Sequence, residues 1–269
     1  MQLPDNRFRA GLERDAVQFG LWSGFASGYC AEIEAGLGYD WMLIDGEHAP
    51  NTVPQILAQL QAVAGYPVAP VVRCVNHDPS LIKQLLDIGT QTLMVPMVET
   101  EAQARALVAA MRYPPHGKRG VGGGLVRATR WDDVEDYLTL AHRELCLIVQ
   151  VESAAGVDNA AAIAAVEGVD AVFIGPADLS SALGHPGDPG HPEVQQAIAA
   201  TIETVKAAGK AVGILAPQED DARRYIGLGC DFVAVSIDVS LLRQAARASL
   251  ARFDEAAGGS ATAGASRTY

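Results

Sequence analysis

The chain has 269 residues, of which 49% are hydrophobic, 19% charged and only 6% aromatic, enough apolar material for one substantial core. Acids outnumber bases 32 to 20, and the formal charge of -12 excludes nucleic acid and anionic membrane surfaces as expected partners, because either requires a basic face. Small molecules, metal ions or further copies of the chain are the partners this balance favours.

From the N-terminus, MQLPDNRFRAGLERD lacks the continuous apolar stretch of a signal peptide. No later run approaches bilayer-spanning length, so a cytoplasmic location is expected. Eight short apolar, β-branched runs then follow, at 18–26, 41–45, 69–75, 92–98, 145–151, 171–175, 211–216 and 232–237. Each is flanked by turn residues and nearly continuous in hydrophobicity, the pattern of buried parallel strands. Segments of helical period separate them, such as the helix opened by Asp78-Pro79-Ser80 and carrying Leu81, Ile82, Leu85 and Leu86. Even spacing predicts an α/β fold, a single-domain (β/α)8 TIM barrel over residues 1–255. A doubly wound sheet is the alternative, but GFASG after the first run does not match GxGxxG. One unit is longer than the rest: 112–142 must hold RYPPHGKRGVGGGLVRATR and an extra helix starting near Trp131, and reads as a flexible lid over the active site. Residues 256–269, rich in Gly, Ser, Thr and Ala, read as a disordered tail. Cys30, Cys74, Cys146 and Cys230 form no CxxC pair, so reduced, buried thiols are expected.

In a barrel enzyme the working groups sit at the C-terminal ends of the strands. Those ends carry Asp45-Gly46-Glu47-His48, Arg73, Gln150-Val151-Glu152 and Gly175-Pro176-Ala177-Asp178. Glu152 and Asp178 leave neighbouring strands, so two hard oxygen ligands could converge on Mg²⁺ or Mn²⁺. The competing reading makes each a helix cap, and spacing alone leaves both open. Asp45, three residues before His48, could orient the imidazole as a general base. Arg73 ends an apolar strand, where an anionic substrate oxygen would account for its burial. His77, His116, His142, His185 and His191 read as structural. None of the four lysines (Lys83, Lys118, Lys206, Lys210) falls at a strand's C-terminal end, so Schiff-base chemistry has no nucleophile. GxSxG and the phosphate-binding GxxxxGK[ST] are both missing.

The succession FGLWSGFAS, WMLIDGEHAP, VVRC, LDIGTQTLMVPMVET, KRGVGGG, IVQVES, FIGPADLS and GILAP resembles the metal-dependent (class II) pyruvate aldolases of the 4-hydroxy-2-oxo-heptane-1,7-dioate and 2-dehydro-3-deoxyglucarate aldolase family. The likeness runs from about Phe19 to Phe253. It implies reversible retro-aldol cleavage of a 4-hydroxy-2-oxo acid to pyruvate and an aldehyde, in aromatic or sugar acid catabolism. A divalent cation (Mg²⁺ or Mn²⁺, with Co²⁺ as a further candidate) is implied, in a trimer or hexamer that exchanges its last helix. The resemblance makes Glu152 and Asp178 the metal ligands, with Gln150, Gly175, Pro176, Ala177, Asp178 and Leu215 around the substrate. His48 becomes the proton acceptor, Arg73 the partner of the oxo or enolate oxygen, and Asp87 the group that raises the basicity of His48 from a neighbouring subunit. Two other functions compete: an acyl-CoA β-hydroxy acid lyase of the citryl or malyl-CoA type, and a non-catalytic binding protein. The lysine-poor, acidic chain offers no basic groove for CoA phosphates, and complete ligand and base positions argue against a silent barrel.

Overall fold

A computed structural model describes residues 1–14 and 16–256. Eight strands, β1 (Gln18–Ser23), β2 (Trp41–Asp45), β3 (Ala69–Arg73), β4 (Thr92–Val95), β5 (Cys146–Val151), β6 (Ala171–Ile174), β7 (Ala211–Leu215) and β8 (Phe232–Ile237), close into one parallel barrel in sequence order. The expected (β/α)8 barrel is the fold found. α1 (Arg7–Leu12) precedes it, and α2 (Gly28–Ala35), α3 (Val53–Ala62), α4 (Pro79–Asp87) and α5 (Glu101–Met111) follow the first four strands. After α6 (Tyr137–Leu140) come α7 (Ala154–Asp158), α8 (Ala160–Ala164), α9 (Pro176–Ala182), α10 (Pro192–Ala207), α11 (Glu219–Gly227) and α12 (Asp238–Ala256). Ala256 thus closes the last helix, and the rest of the expected tail lies outside the described residues. Among the described residues no helix is long and apolar enough to cross a membrane.

Strand side chains alternate between the helix layer and the barrel lumen. Ile44, Val72, Val95, Val149, Val172, Ile214 and Val233 face the helices in one continuous core. Trp41, Leu43, Val71, Met94, Ile148, Phe173 and Phe232 fill the lumen. The lumen has room for these rings only because glycine faces them: a Cβ on Gly20 would stand 2.1 Å from Trp41, and one on Gly213 2.3 Å from Phe232. α1, which the sequence pattern does not announce, closes the N-terminal end. Its cap Asn6 donates to Thr92 Oγ1 (3.0 Å) and the Glu144 carbonyl (3.0 Å), and fully buried Phe8 packs edge-on to Phe232 and Trp41.

Two expected features differ. β1 stops at Ser23 rather than 26, because the Gly24 and Phe25 N–H groups donate to Asp238 Oδ2 (2.7 and 2.9 Å). The segment 112–142 is no lid over this chain's own rim: it joins the end of α5 to the start of β5, and both lie at the N-terminal end of the barrel. There Arg127 donates to the Ile88 carbonyl (2.9 Å). Its extra helix is the short α6, which starts at Tyr137 and not near Trp131, since Arg130, Trp131 and Asp132 all adopt positive φ. All four cysteines are free; burial pushes the Cys74 and Cys230 thiols up to about 12, which makes them inert.

Candidate active site

The inward alternation that fills the lumen ends, at the C-terminal rim, in polar groups. Two residues beyond Leu43 stands Asp45, two beyond Val71 Arg73, two beyond Ile148 Gln150, and two beyond Phe173 Gly175. The rim constellation is therefore the top layer of the barrel interior, carried on rigid strands.

Register pairs Asp45 directly with Arg73. The guanidinium donates to Asp45 through Nε (2.9 Å) and Nη2 (2.7 Å), reaches Glu47 Oε2 through Nη1 (2.8 Å), and lies 4.6 Å from the centroid of the Trp22 ring. Burial would raise the Asp45 carboxyl, but the hydrogen bonds and charge of Arg73, the Glu47 N–H and the Trp22 indole hold it below its usual range. Two expectations change here. The burial of Arg73 is accounted for by two carboxylates of the protein: Asp45 accepts two of its N–H groups, and Glu47 pairs with it as a charge. Asp45 does not orient the His48 imidazole; its side chain is committed to Arg73, Trp22 and backbone N–H groups, that of His48 itself among them at 3.4 Å.

Glu152 is buried just past β5. Its Oε1 accepts the Met97 N–H (2.9 Å), and its Oε2 accepts from Gln150 Nε2, whose own Oε1 is buried without a partner. Burial pushes Glu152 up to about 7; the Met97 N–H opposes this, and the charges of Asp178 and Glu47 add to it. Glu47 is likewise raised, first by burial, against the pull of Arg73 and His48 and with the push of Asp45 and Asp178. Glu47, Glu152 and Asp178 thus feel one another as like charges. The capping alternative fails for Glu152, because Ser153 is the N-cap of α7 and its Oγ accepts from Gly156 N (3.1 Å). Asp178 sits in the first turn of α9, exposed and without a capping bond.

Gly175 makes this approach possible: a Cβ there would lie 2.2 Å from Glu152 Oε2. It is also the N-cap of α9, whose first intrahelical bond is donated by Leu179 to the Gly175 carbonyl (3.0 Å). The N–H groups of Ala177 and Asp178 are consequently free of intrahelical partners beside the acids, while Pro176 has none to satisfy. Leu215, at the end of β7, is half-buried on the same rim.

His48 and Asp87 are not brought together within one chain. His48 is exposed at the rim, its Nε2 3.9 Å from Glu47 Oε2. Asp87 ends α4 at the opposite end of the barrel, bonded to buried Arg119 Nη2 (2.7 Å). Two contributors escaped sequence reasoning. Trp22 was legible as the inward residue ending β1, by the same alternation that marks Arg73. Met97, which turns its N–H onto Glu152 with φ 53, has no sequence signal.

A parallel barrel with carboxylates gathered beside helix N–H groups at its C-terminal rim defines a class of enzyme that handles small oxyanionic substrates. The chain belongs to the HpcH/HpaI aldolase/citrate lyase family, whose model matches residues 18–245. It is an aldolase, a carbon–carbon lyase. It is 68% identical over 253 residues to a hydroxypyruvate/pyruvate aldolase of Chromohalobacter salexigens, covering 94% of this chain and 99% of that one. A 4-hydroxy-2-oxo-heptane-1,7-dioate aldolase of Escherichia coli is 54% identical over 93% of this chain and 95% of its own length. A crystal structure of an HpcH/HpaI aldolase/citrate lyase family protein from Burkholderia cenocepacia superposes with TM-score 0.89 at 44% identity, over 92% of this chain and 99% of that one. Enzymes of the family depend in general on a divalent metal ion.

Proposed function

We propose a division of labour among the rim side chains for the reversible cleavage of a 4-hydroxy-2-oxo acid to pyruvate and an aldehyde. The chain is a class II pyruvate aldolase. The observation that carries the reading is the set of acids: Glu47, Glu152 and Asp178 repel one another at a rim whose nearest cation, Arg73, is already shared with Asp45. An all-oxygen donor set with unbalanced negative charge fits a hard cation, and Glu152 and Asp178 are the side chains that would hold Mg²⁺ or Mn²⁺. When bound, such a cation supplies positive charge against the negative charge that develops on the 2-oxo oxygen.

The chain's own groups do the rest. The free N–H groups of Ala177 and Asp178 receive the substrate carboxylate. Gln150 Oε1 and Nε2 flank it, and Leu215 borders the aldehyde side. The remaining N–H donors of Arg73 serve the oxygen that becomes an enolate, with the guanidinium held in place by Asp45, Glu47 and Trp22 so that nothing reorganises during bond cleavage. His48 takes the 4-hydroxyl proton as the C3–C4 bond breaks, and a proton returned to C3 completes pyruvate. Because Asp87 lies at the far end of its own barrel, a neighbouring subunit supplies the carboxylate that orients His48. Exposed Val239, Leu242, Leu250 and Phe253 along α12 support a trimer or hexamer built partly through that helix. The names of the relatives extend the donor range from pyruvate to hydroxypyruvate.

The test is pyruvate release from 4-hydroxy-2-oxoheptane-1,7-dioate. EDTA should abolish it, Mg²⁺ or Mn²⁺ should restore it, and borohydride added with pyruvate should leave the enzyme active. Full turnover in EDTA, or inactivation by borohydride, would overturn the reading. Aldol product formation from pyruvate and hydroxypyruvate with succinic semialdehyde, tartronate semialdehyde and lactaldehyde identifies the aldehyde.

A further inference from the structure

We infer that His185, His191 and Glu193, at the head of α10, form a second divalent-metal site, suited to Zn²⁺ and distinct from the rim acids. On sequence grounds both histidines read as structural. The fold brings them together by two successive turns, in which Asp188 N donates to the His185 carbonyl (3.0 Å) and His191 N to the Asp188 carbonyl (3.1 Å). The two imidazoles consequently stack, with centroids 3.4 Å apart and planes 16° from parallel. Pro186, Pro189 and Pro192 fix φ at three positions of this short stretch, which lowers the entropy lost on holding the pair in place.

Glu193 completes the set. Its Oε2 lies 2.9 Å from His185 Nε2, and its backbone N–H donates to His191 Nδ1 (3.3 Å), which leaves the Nε2 of His191 as its free ligand atom. One donor atom from each of the three residues lies within 4.8 Å of the others. Bonds to tetrahedral zinc place ligand atoms about 3.4 Å apart with their lone pairs aimed at one point, so closure asks the surface side chains to shift by on the order of 1 Å and the two imidazoles to tilt out of their parallel stack. His191 caps α10 through Nδ1 and His185 pairs with Glu193, which leaves the outward Nε2 of the stacked His191 ring as the donor atom that neither contact uses.

The donor chemistry separates the two sites. Two imidazoles and one carboxylate suit Zn²⁺, Co²⁺, Ni²⁺ or Cu²⁺, whereas Glu152 and Asp178 offer only oxygen and suit Mg²⁺ or Mn²⁺. An ion at the histidine site ties α10 to the loop that leaves α9, the helix that carries Asp178 and its free N–H groups. It therefore braces the wall of the rim without touching substrate.

The inference is tested on the full chain with 1 mM Mg²⁺ present throughout. Equilibrium dialysis against micromolar Zn²⁺, read by elemental analysis, should show one zinc per chain more for the wild type than for the double variant His185→Ala/His191→Asn, in which asparagine keeps a capping acceptor for α10. Zinc should raise the Tm of the wild type by about 2–4 °C and leave that of the double variant unmoved. Co²⁺ should give the visible absorption of a nitrogen- and oxygen-ligated ion only in the wild type. Glu193→Gln should weaken zinc binding at least tenfold while Mg²⁺-supported aldolase turnover stays within twofold of wild type. Equal zinc stoichiometry in wild type and double variant, or zinc binding lost only on Glu152→Gln, would overturn the inference. Both outcomes are read without turnover, so they stand apart from the aldolase reading.

Discussion

The two ends of the barrel are built from the same eight strands and treat negative charge in opposite ways. At the N-terminal end the half-buried acids Asp231 and Asp170 meet cations and backbone donors. Asp231 accepts from Lys206 Nζ (2.6 Å) and Val212 N (2.8 Å), and Asp170 accepts from Leu147 N (2.8 Å) and faces Arg9 at 3.7 Å. Burial raises Asp170, yet the Leu147 N–H and the charges of Arg9, Lys210 and Arg112 all oppose it. At the C-terminal rim burial raises Glu152 as well, but there the neighbouring charges of Asp178 and Glu47 push in the same direction. One end is balanced for stability. The other holds a charge excess that its own side chains leave unbalanced and that a bound cation or a proton relieves, the mark of a functional site.

Substitutions at the two ends should therefore separate activity from stability. Glu152→Gln keeps an acceptor for the Met97 N–H but removes a charged oxygen donor. We expect kcat/KM to fall by about 10³-fold or more, with an unfolding midpoint equal to or above that of the wild type because a repulsion is lost. Phe8→Ala should do the reverse, costing about 3–5 kcal/mol by urea unfolding while kcat/KM at 25 °C stays within twofold. Parallel losses in both variants would erase the distinction. Asp45→Asn lies between these extremes, since it strips the bidentate partner from a buried guanidinium. Turnover should drop by about 10²-fold and stability by about 3 kcal/mol together.

How much of this was legible in the sequence depends on whether the signal lies within one segment or between two. Each strand was visible because a parallel strand covered on both faces is a continuous apolar run, and Glu152, Asp178 and Arg73 were visible because they break such runs at one end. The Asp45–Arg73 pair was not, because register between β2 and β3 is set by the closure of the whole barrel and by neither strand alone. The lid reading of 112–142 overlooked a topological fact that was available: a segment between a helix and the next strand lies at the N-terminal end. Residues in α1 gave no warning, since one buried ring, Phe8, anchors a six-residue helix whose other positions are largely polar or small. The gathering of His185 and His191 depends on two backbone turns across glycines and prolines, which composition does not specify.

Smaller effects come from protons. With Glu152 pushed up to about 7, a cation at the rim competes with a proton for the same oxygens. Apparent Mg²⁺ affinity, measured by titration calorimetry, should rise about tenfold per pH unit below 7 and level off above it; a flat profile from pH 5.5 to 8 would show that the acids are ionised before the metal arrives. The smallest expected effect is at Glu34, on α2, buried beside Ser23 and Asp238 with neither carboxyl oxygen hydrogen-bonded. Burial pushes it from 4.5 up to about 7, against a contribution from Ser23 and with one from Asp238, whose own carboxylate accepts from the Gly24, Phe25 and Val239 N–H groups. The folded chain then holds a proton that the unfolded chain has released. Below pH 4.5 both states are protonated and the group is neutral to stability; between 4.5 and 7 stability declines as pH rises, and above 7 the deficit is complete. Glu34→Gln removes that slope. Its Tm should match the wild type at pH 4 and exceed it by a few degrees at most at pH 8, whereas an equal offset at both pH values would mean that the change acts through packing instead of charge.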